Sequence, residues 1–308
     1  MEEIKAVLPD TVLNILKLVP DHTQQFIEEI RLRIGQPAEF IIDGKPYYPD
    51  LYHSFSSEEG VTLLSRISRH SLYALEEELK RGYITISGGH RIGIAGRVIT
   101  EKGSVKAVRD ISSYNIRVAR EKIGIAGEIS RFLYQGKWLN TLIIGPPQTG
   151  KTTILRDLAR VISAGWPKHS IPPSKIGIVD ERSEIAGCVK GVPQHQFGRR
   201  VDVLDACPKA EGIMMLIRSM SPEVIIADEI GRKEDSEAIY EAVNAGVQMI
   251  FSAHGRSIQE VMRRPAMLQL SSEPVFQRYV ILSRNNGPGT VEGVYGHDRT
   301  RLAMGLMA

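Results

Sequence analysis

Residues 142–160 read LIIGPPQTGKTTILRDLAR: an apolar run, a turn rich in glycine and proline, and an amphipathic stretch opened by Lys-Thr-Thr. This pattern constrains the chain more than any other, because it needs a buried strand, a tight turn and a helix in immediate succession. Gly145, Gly150, Lys151 and Thr152 keep the spacing G-x-x-x-x-G-K-[ST]; Pro146, Pro147, Gln148 and Thr149 fill the turn and Thr153 follows it. Glycines allow successive backbone N–H groups to face one anion, and the start of a helix adds its positive end. Lys151 can then reach β- and γ-phosphates, while Thr152 can offer a hydroxyl to Mg²⁺. A glycine-rich turn can match this spacing by chance. Here TLIIG before it and TTILRDLARVI after it supply the strand and helix that phosphate binding requires.

A second stretch, PEVIIADEIG at 222–231, is an apolar strand that ends in Asp228 and Glu229. Solvated acids at a strand end are common. Beside a phosphate loop, however, Asp228 suits the Mg²⁺ shell and Glu229 suits the polarisation of an attacking water. IGIVDERSE delivers Asp180 and Glu181, followed by Arg182. These acids either hold metal-bound water and position the nucleophile, or form an ion pair among neighbours. QMIFSAHGRS ends in His254, placed to sense a γ-phosphate if its strand lies beside the phosphate loop.

From residue 140 onward four apolar runs, LNTLIIG, KIGIVDE, EVIIADEIG and QMIFSAH, alternate with helical stretches such as AEGIMMLIRSM and KEDSEAIYEAVNAG. The alternation predicts an α/β domain with a parallel-rich sheet and ligands at the carboxyl ends of its strands. The first third mixes strand-like pieces (EIRLRIGQPAEFII, GYITISGG, HRIGIAGRVIT, SSYNIRVAR) with a helix expected over 56–80, which reads as a smaller α+β module. The expected division is therefore 1–130 and 131–308. Met214, Met215 and Met220 read as core packing. Cys188 and Cys207 lack metal-ligand spacing and read as reduced thiols. No apolar run is long enough to span a membrane, and the acidic start MEEIKAVLPD argues against a signal peptide. A cytoplasmic location is the expectation.

The net charge of +3 implies no nucleic acid by itself, but residues 91–120 hold seven basic residues against Glu101 and Asp110, a local +5. Arg91, Arg97 and Arg117 are the candidates to reach phosphates across an interface, in the manner of an arginine finger. A solvated strand face ranks next. Nucleic acid ranks last, since Tyr114 is the only aromatic residue there to stack a base.

With these motifs in order, the chain resembles the type II/type IV secretion ATPases of the RecA/AAA+-like P-loop group. GPPQTGKT falls at that superfamily's phosphate loop, Asp180–Glu181 and Asp228–Glu229 at its two acidic boxes and His254 at its histidine box. HRIGIAGR and SYNIRVAR are similar to the N-terminal strands that carry arginines there. VDERSEIAG and DVLDACPKAEGIMMLIRSMSPEVIIADEIG narrow the resemblance to the stage III sporulation protein AA family of endospore-forming bacteria, over nearly the whole chain. The resemblance implies a RecA-like motor behind an α+β module, with ATP bound where the two meet and Mg²⁺ as its metal. It further implies a homo-oligomer, a hexamer, in the mother cell, held peripherally on membrane proteins of the stage III complex at the forespore. The four-cysteine zinc site of several type II members is missing, so zinc is not implied. VDERSE in place of Glu-Asp-Pro leaves the separate roles of Asp180, Glu181 and Arg182 open. Two other readings of the same core are a nucleic-acid-stimulated translocase and a scaffold that binds ATP without hydrolysing it.

Overall fold

The computed structural model describes residues 1–68, 76–270 and 275–306. The chain divides into two compact units, Met1–Arg120 and Glu121–Ala308, a division that falls ahead of the boundary expected at residue 130.

In the first unit, α1 (Glu2–Lys5), α2 (Asp10–Lys17) and α3 (Asp21–Gln24) precede the strands β1 (Ile27–Arg33), β2 (Glu39–Ile42) and β3 (Lys45–Tyr47). Then come α4 (Ser57–Ser68), α5 (Glu76–Lys80), β4 (Tyr83–Ile86), β5 (His90–Glu101) and β6 (Ser104–Arg117). The expected 56–80 helix thus starts as α4; its residues 69–75 lie outside the described residues. Among the described residues the strands form one sheet, β3-β2-β1-β6-β5-β4. Val12, Ile15 and Leu16 form a helical stripe on α2, and they join Leu63 of α4 and Ile30, Leu32 and Ile116 of the sheet in one core. Tyr114 is buried in that core and donates its hydroxyl to the Gly60 carbonyl at 3.0 Å. Burial pushes this phenol up to about 12. The ring is therefore turned away from any base-stacking surface.

In the second unit α6 (Gly127–Leu133) leads to β7 (Thr141–Gly145), α7 (Lys151–Ala164), β8 (Ile176–Asp180), β9 (Val201–Asp205), α8 (Lys209–Ser219) and β10 (Val224–Ala227). After these come α9 (Lys233–Asn244), β11 (Gln248–His254), α10 (Ile258–Met262), α11 (Pro265–Gln269), β12 (Arg278–Ser283), β13 (Thr290–Gly296) and β14 (Arg301–Leu306). The order β14-β13-β12-β7-β11-β10-β8-β9 makes one sheet. From β12 to β9 every neighbouring pair is parallel; β13 and β14 continue it antiparallel. Successive residues of β7 feed opposite cores: Leu142 and Ile144 pack with α8–α11, Ile143 with α6 and α7. Helices therefore cover both faces, which is why the central strands read as unbroken apolar runs.

Four strands absent from the sequence expectation complete this sheet. β9 (VDVLD) is half-buried along its length, as befits an edge, so its charges mask it. The methionine reading needs correction as well. The buried face of α8 is Lys209, Gly212, Ile213 and Leu216, whereas Met215 and Met220 are 50% and 43% exposed. Met214 and Met215 line a groove of about 500 Å³ between α8 and α9.

The start of the second unit is fastened by buried Asp157 of α7, whose carboxylate accepts from the Gly124 and Ala126 N–H groups at 3.0 and 2.8 Å. Arg160 completes the set at 2.7 Å. Asp157→Ala is expected to cost about 2 kcal/mol, since the buried Ala126 N–H loses its partner where water has little access, while the exposed Gly124 N–H can turn to solvent. Urea unfolding followed by tryptophan fluorescence checks this; an unchanged midpoint would show that the donors find other acceptors.

Candidate functional site

The carboxyl ends of β7, β10 and β11 converge on a cleft of about 410 Å³ lined by the phosphate loop, Asp228, Glu229 and His254. In-register pairing puts His254 of β11 opposite Gly145 of β7, so residues far apart in sequence meet at the loop's first glycine. Gly150 has φ +85°, and an added Cβ would lie 2.9 Å from the Gly289 nitrogen. A side chain there meets both backbone strain and a clash. The Gly289 N–H in turn donates to the Thr149 carbonyl at 2.9 Å, so the β12–β13 turn braces the loop from outside. Arg284 donates to the Gln148 side-chain oxygen at 3.0 Å.

Lys151 is buried, and its ammonium is folded back onto the loop. It donates to the Gly145 and Pro146 carbonyls, each at 2.8 Å, and contacts His254 Nδ1 at 3.0 Å. Pro146 O also takes the Thr149 hydroxyl at 2.8 Å. An ammonium only donates, so Nδ1 is the acceptor and the imidazole proton sits on Nε2. That nitrogen lies 2.9 Å from Glu229 Oε2. Lys151, His254 and Glu229 thus form one hydrogen-bonded chain across the cleft. Burial holds the lysine below its ordinary value, and the Glu229 charge partly offsets this. Gln148, Thr152 and Thr153 line the same cleft, as does Pro147.

Asp228 is buried at the foot of the cleft. Burial pushes its carboxyl up, and Lys209 draws it back. Lys209 Nζ stands 3.2 Å from Asp228 Oδ1 and 3.4 Å from Glu181 Oε2, and donates to the Glu229 carbonyl at 2.6 Å. Glu181 lies behind the acids, with Arg232 3.8 Å from its other oxygen.

Asp180 is placed differently from the expectation of a metal ligand. It is fully buried and accepts the N–H groups of Glu184 and Ala186 at 2.9 and 2.8 Å, so its carboxylate folds the loop after β8. Arg156 of α7 holds that loop from the other side through the Glu184 and Ile185 carbonyls. Burial pushes Asp180 up to about 6 from an ordinary 3.8, backbone hydrogen bonds opposing. Between those values the folded chain binds more protons than the unfolded one, so this residue's contribution to stability falls as pH rises from about 4 to about 6, then levels. Wild type should therefore lose stability relative to Asp180→Asn over that window. A pH-independent difference in unfolding midpoint would contradict the buried carboxyl.

The three arginine candidates lie in the first unit. Arg91 stacks on Tyr83 at 3.4 Å, Arg97 pairs with Asp110 at 2.9 Å and Arg117 with Glu29 at 3.2 Å. The two ion pairs are largely exposed on the arginine side and hold weakly.

Sequence reasoning missed Lys209, Ser252, Glu184 and Pro288, all but the first lining the cleft. Lys209 had a signal: it opens α8 behind Pro208, and a lysine at a helix N-terminus opposes the macrodipole. Ser252 and Pro288 carry no local mark.

Residues 1–302 match the family described as Sporulation stage III, protein AA. The chain belongs to this family. Stage III sporulation protein AA of Bacillus subtilis (strain 168) is 59% identical over 303 residues, 98% of this chain and 97% of that protein. Among solved structures, the chain is similar to the Legionella pneumophila ATPase DotB, with a TM-score of 0.59 at 15% identity over 89% of this chain and 76% of that one. It is also similar to the pilus retraction motor PilT with bound ADP, with a TM-score of 0.60 at 17% identity over 87% and 77%. At such identities the likeness shows the fold, which is that of the secretion ATPases with a RecA-like core. Among the described residues no helix is long and apolar enough to cross a membrane.

Proposed function

We propose that this family member is an ATP-hydrolysing motor of a sporulation-associated secretion or channel complex at the mother cell–forespore membranes. The observation that carries the reading is the chain Lys151–His254–Glu229, which joins the phosphate loop to an acid suited to activating water. Lys151 exchanges its two loop carbonyls for phosphate oxygens when nucleotide enters. His254 Nδ1 then loses its donor, so the state of the phosphate reaches Glu229 through one imidazole. Glu229 accepts a proton from the attacking water, held in orientation by His254 Nε2–H.

The residues present fit Mg²⁺. The Thr152 hydroxyl and Asp228 carboxylate are hard oxygen donors on the same cleft, and few protein ligands suit a cation that keeps waters and phosphates in its shell. Among the described residues no cluster of three His, Cys, Asp or Glu side chains competes as a metal site. Bound there, Mg²⁺ would supply neutralisation of phosphate charge. Arginines of the first unit, Arg91, Arg97 or Arg117, complete the site from the same or a neighbouring chain of a hexamer. Membrane proteins of the stage III complex hold the ring at the membrane from the mother-cell side.

The test is ATP hydrolysis with and without Mg²⁺ over a range of protein concentrations, with light scattering in parallel. The motor reading expects Mg²⁺-dependent turnover that rises with assembly. A monomer that binds ATP without turning it over, even with its membrane partners present, would replace it with the scaffold reading. Strong stimulation by single-stranded nucleic acid that fades with salt would favour the translocase.

A further inference from the structure

Lys209 is 6% exposed and opens α8, where the helix dipole disfavours a positive charge. Three oxygens from two parts of the chain surround its ammonium: Glu181 Oε2 after β8, and Asp228 Oδ1 and the Glu229 main-chain carbonyl after β10. A buried lysine confers nothing by its own burial, and a methionine of similar length would pack at less cost. What the ammonium adds is geometric. It fixes the Glu229 backbone at 2.6 Å and the neighbouring Asp228 carboxylate at 3.2 Å from one point. The next helix is tied to the same turn, since Asp235 Oδ2 accepts the Gly231 and Arg232 N–H groups at 3.1 and 3.0 Å. The segment from Asp228 to Arg232 is thus held at both ends, and the Glu229 carboxylate between them meets His254 Nε2 at 2.9 Å.

We propose that Lys209 is a positioning residue for the reaction, whose ammonium holds Glu229 and Asp228 as one rigid pair facing the phosphate loop. The proposal rests on the ATPase reading. Its energetic signature follows from its place: Lys209 lines neither the phosphate loop nor the cleft, so Mg²⁺-free ADP binding, which draws on the loop alone, does not depend on it. The transition state does, because the orientation of the activating acid matters only there.

The experiment compares full-length wild type, Lys209→Met and Lys209→Arg. It measures affinity for fluorescent ADP, affinity for ADP with aluminium fluoride and Mg²⁺ as a mimic of the transition state, kcat and KM for ATP, and thermal midpoint. In Lys209→Met, ADP affinity measured without Mg²⁺ is expected to hold, while kcat and the affinity for the mimic fall together by about 10- to 100-fold. Lys209→Arg, which keeps the charge, should recover most of that loss. If Lys209→Met fails to fold, Lys209→Gln carries the same expectation, since its shorter, neutral side chain cannot hold the Glu229 carbonyl and the Asp228 carboxylate from one point. Equal losses for ADP and the mimic, or no loss for the mimic, would overturn the proposal in favour of a structural lysine. A wild type that binds the mimic no more tightly than ADP would sink the ATPase reading and this proposal together. A wild type that discriminates, beside a Lys209→Met that discriminates equally, would sink this proposal alone.

Discussion

Glu229→Gln is expected to lower kcat by about 100- to 10,000-fold, the span that a positioned general base contributes. Nucleotide binding should survive, because the phosphate contacts lie on Lys151 and the loop. The fold should survive too. A glutamine oxygen can still accept from His254 Nε2, which stands 2.9 Å from the present carboxylate, and the Glu229 main chain keeps its bond to Lys209. The two measurements that separate these effects are single-turnover hydrolysis and fluorescent ATP binding on the same preparation. Retained turnover would remove Glu229 from the chemistry and leave the chain Lys151–His254–Glu229 as a structural link. If assembly and sporulation also persisted without turnover, the ATP-binding scaffold would be the better description.

Lys151→Ala should fail one step earlier. It removes the one charged donor that the loop itself aims at phosphate, which charge-assisted hydrogen bonding values at about 10- to 100-fold in affinity. Turnover should fall further, by about 100- to 1,000-fold, because the same charge meets negative charge that grows toward the transition state. Stability should change little. The ammonium is held below its ordinary value by burial, so its removal relieves a desolvation cost while leaving two loop carbonyls without their donor. Calorimetry of ADP and ATP binding distinguishes this variant from Glu229→Gln: weak binding belongs to Lys151, tight binding without turnover to Glu229. Equal nucleotide affinity in wild type and Lys151→Ala would mean that the turn at 145–150 binds something other than phosphate.

The sequence by itself determined the parts whose cause is local. The turn between β7 and α7 has to be glycine-rich because Gly150 sits at φ +85° with no room for a Cβ. The central strands are legible because burial on both faces leaves unbroken apolar runs, and their acids and histidine fall at strand ends because a parallel sheet points all its carboxyl ends one way. Only the tertiary structure decided what those ends do. Asp180 and Asp228 look alike as acids after apolar strands, yet Asp180 turns inward to accept its own loop's N–H groups and Asp228 faces the cleft beside Lys209. Lys151 meets His254 across 103 positions of chain, through the pairing of β7 with β11. Met214 and Met215 leave the core for a groove because the buried stripe of α8 runs through its smaller neighbours instead. Hydrophobic period and turn chemistry are encoded within a few residues. The direction of a carboxylate depends on which donors the rest of the fold brings within 3 Å, and no local pattern records those.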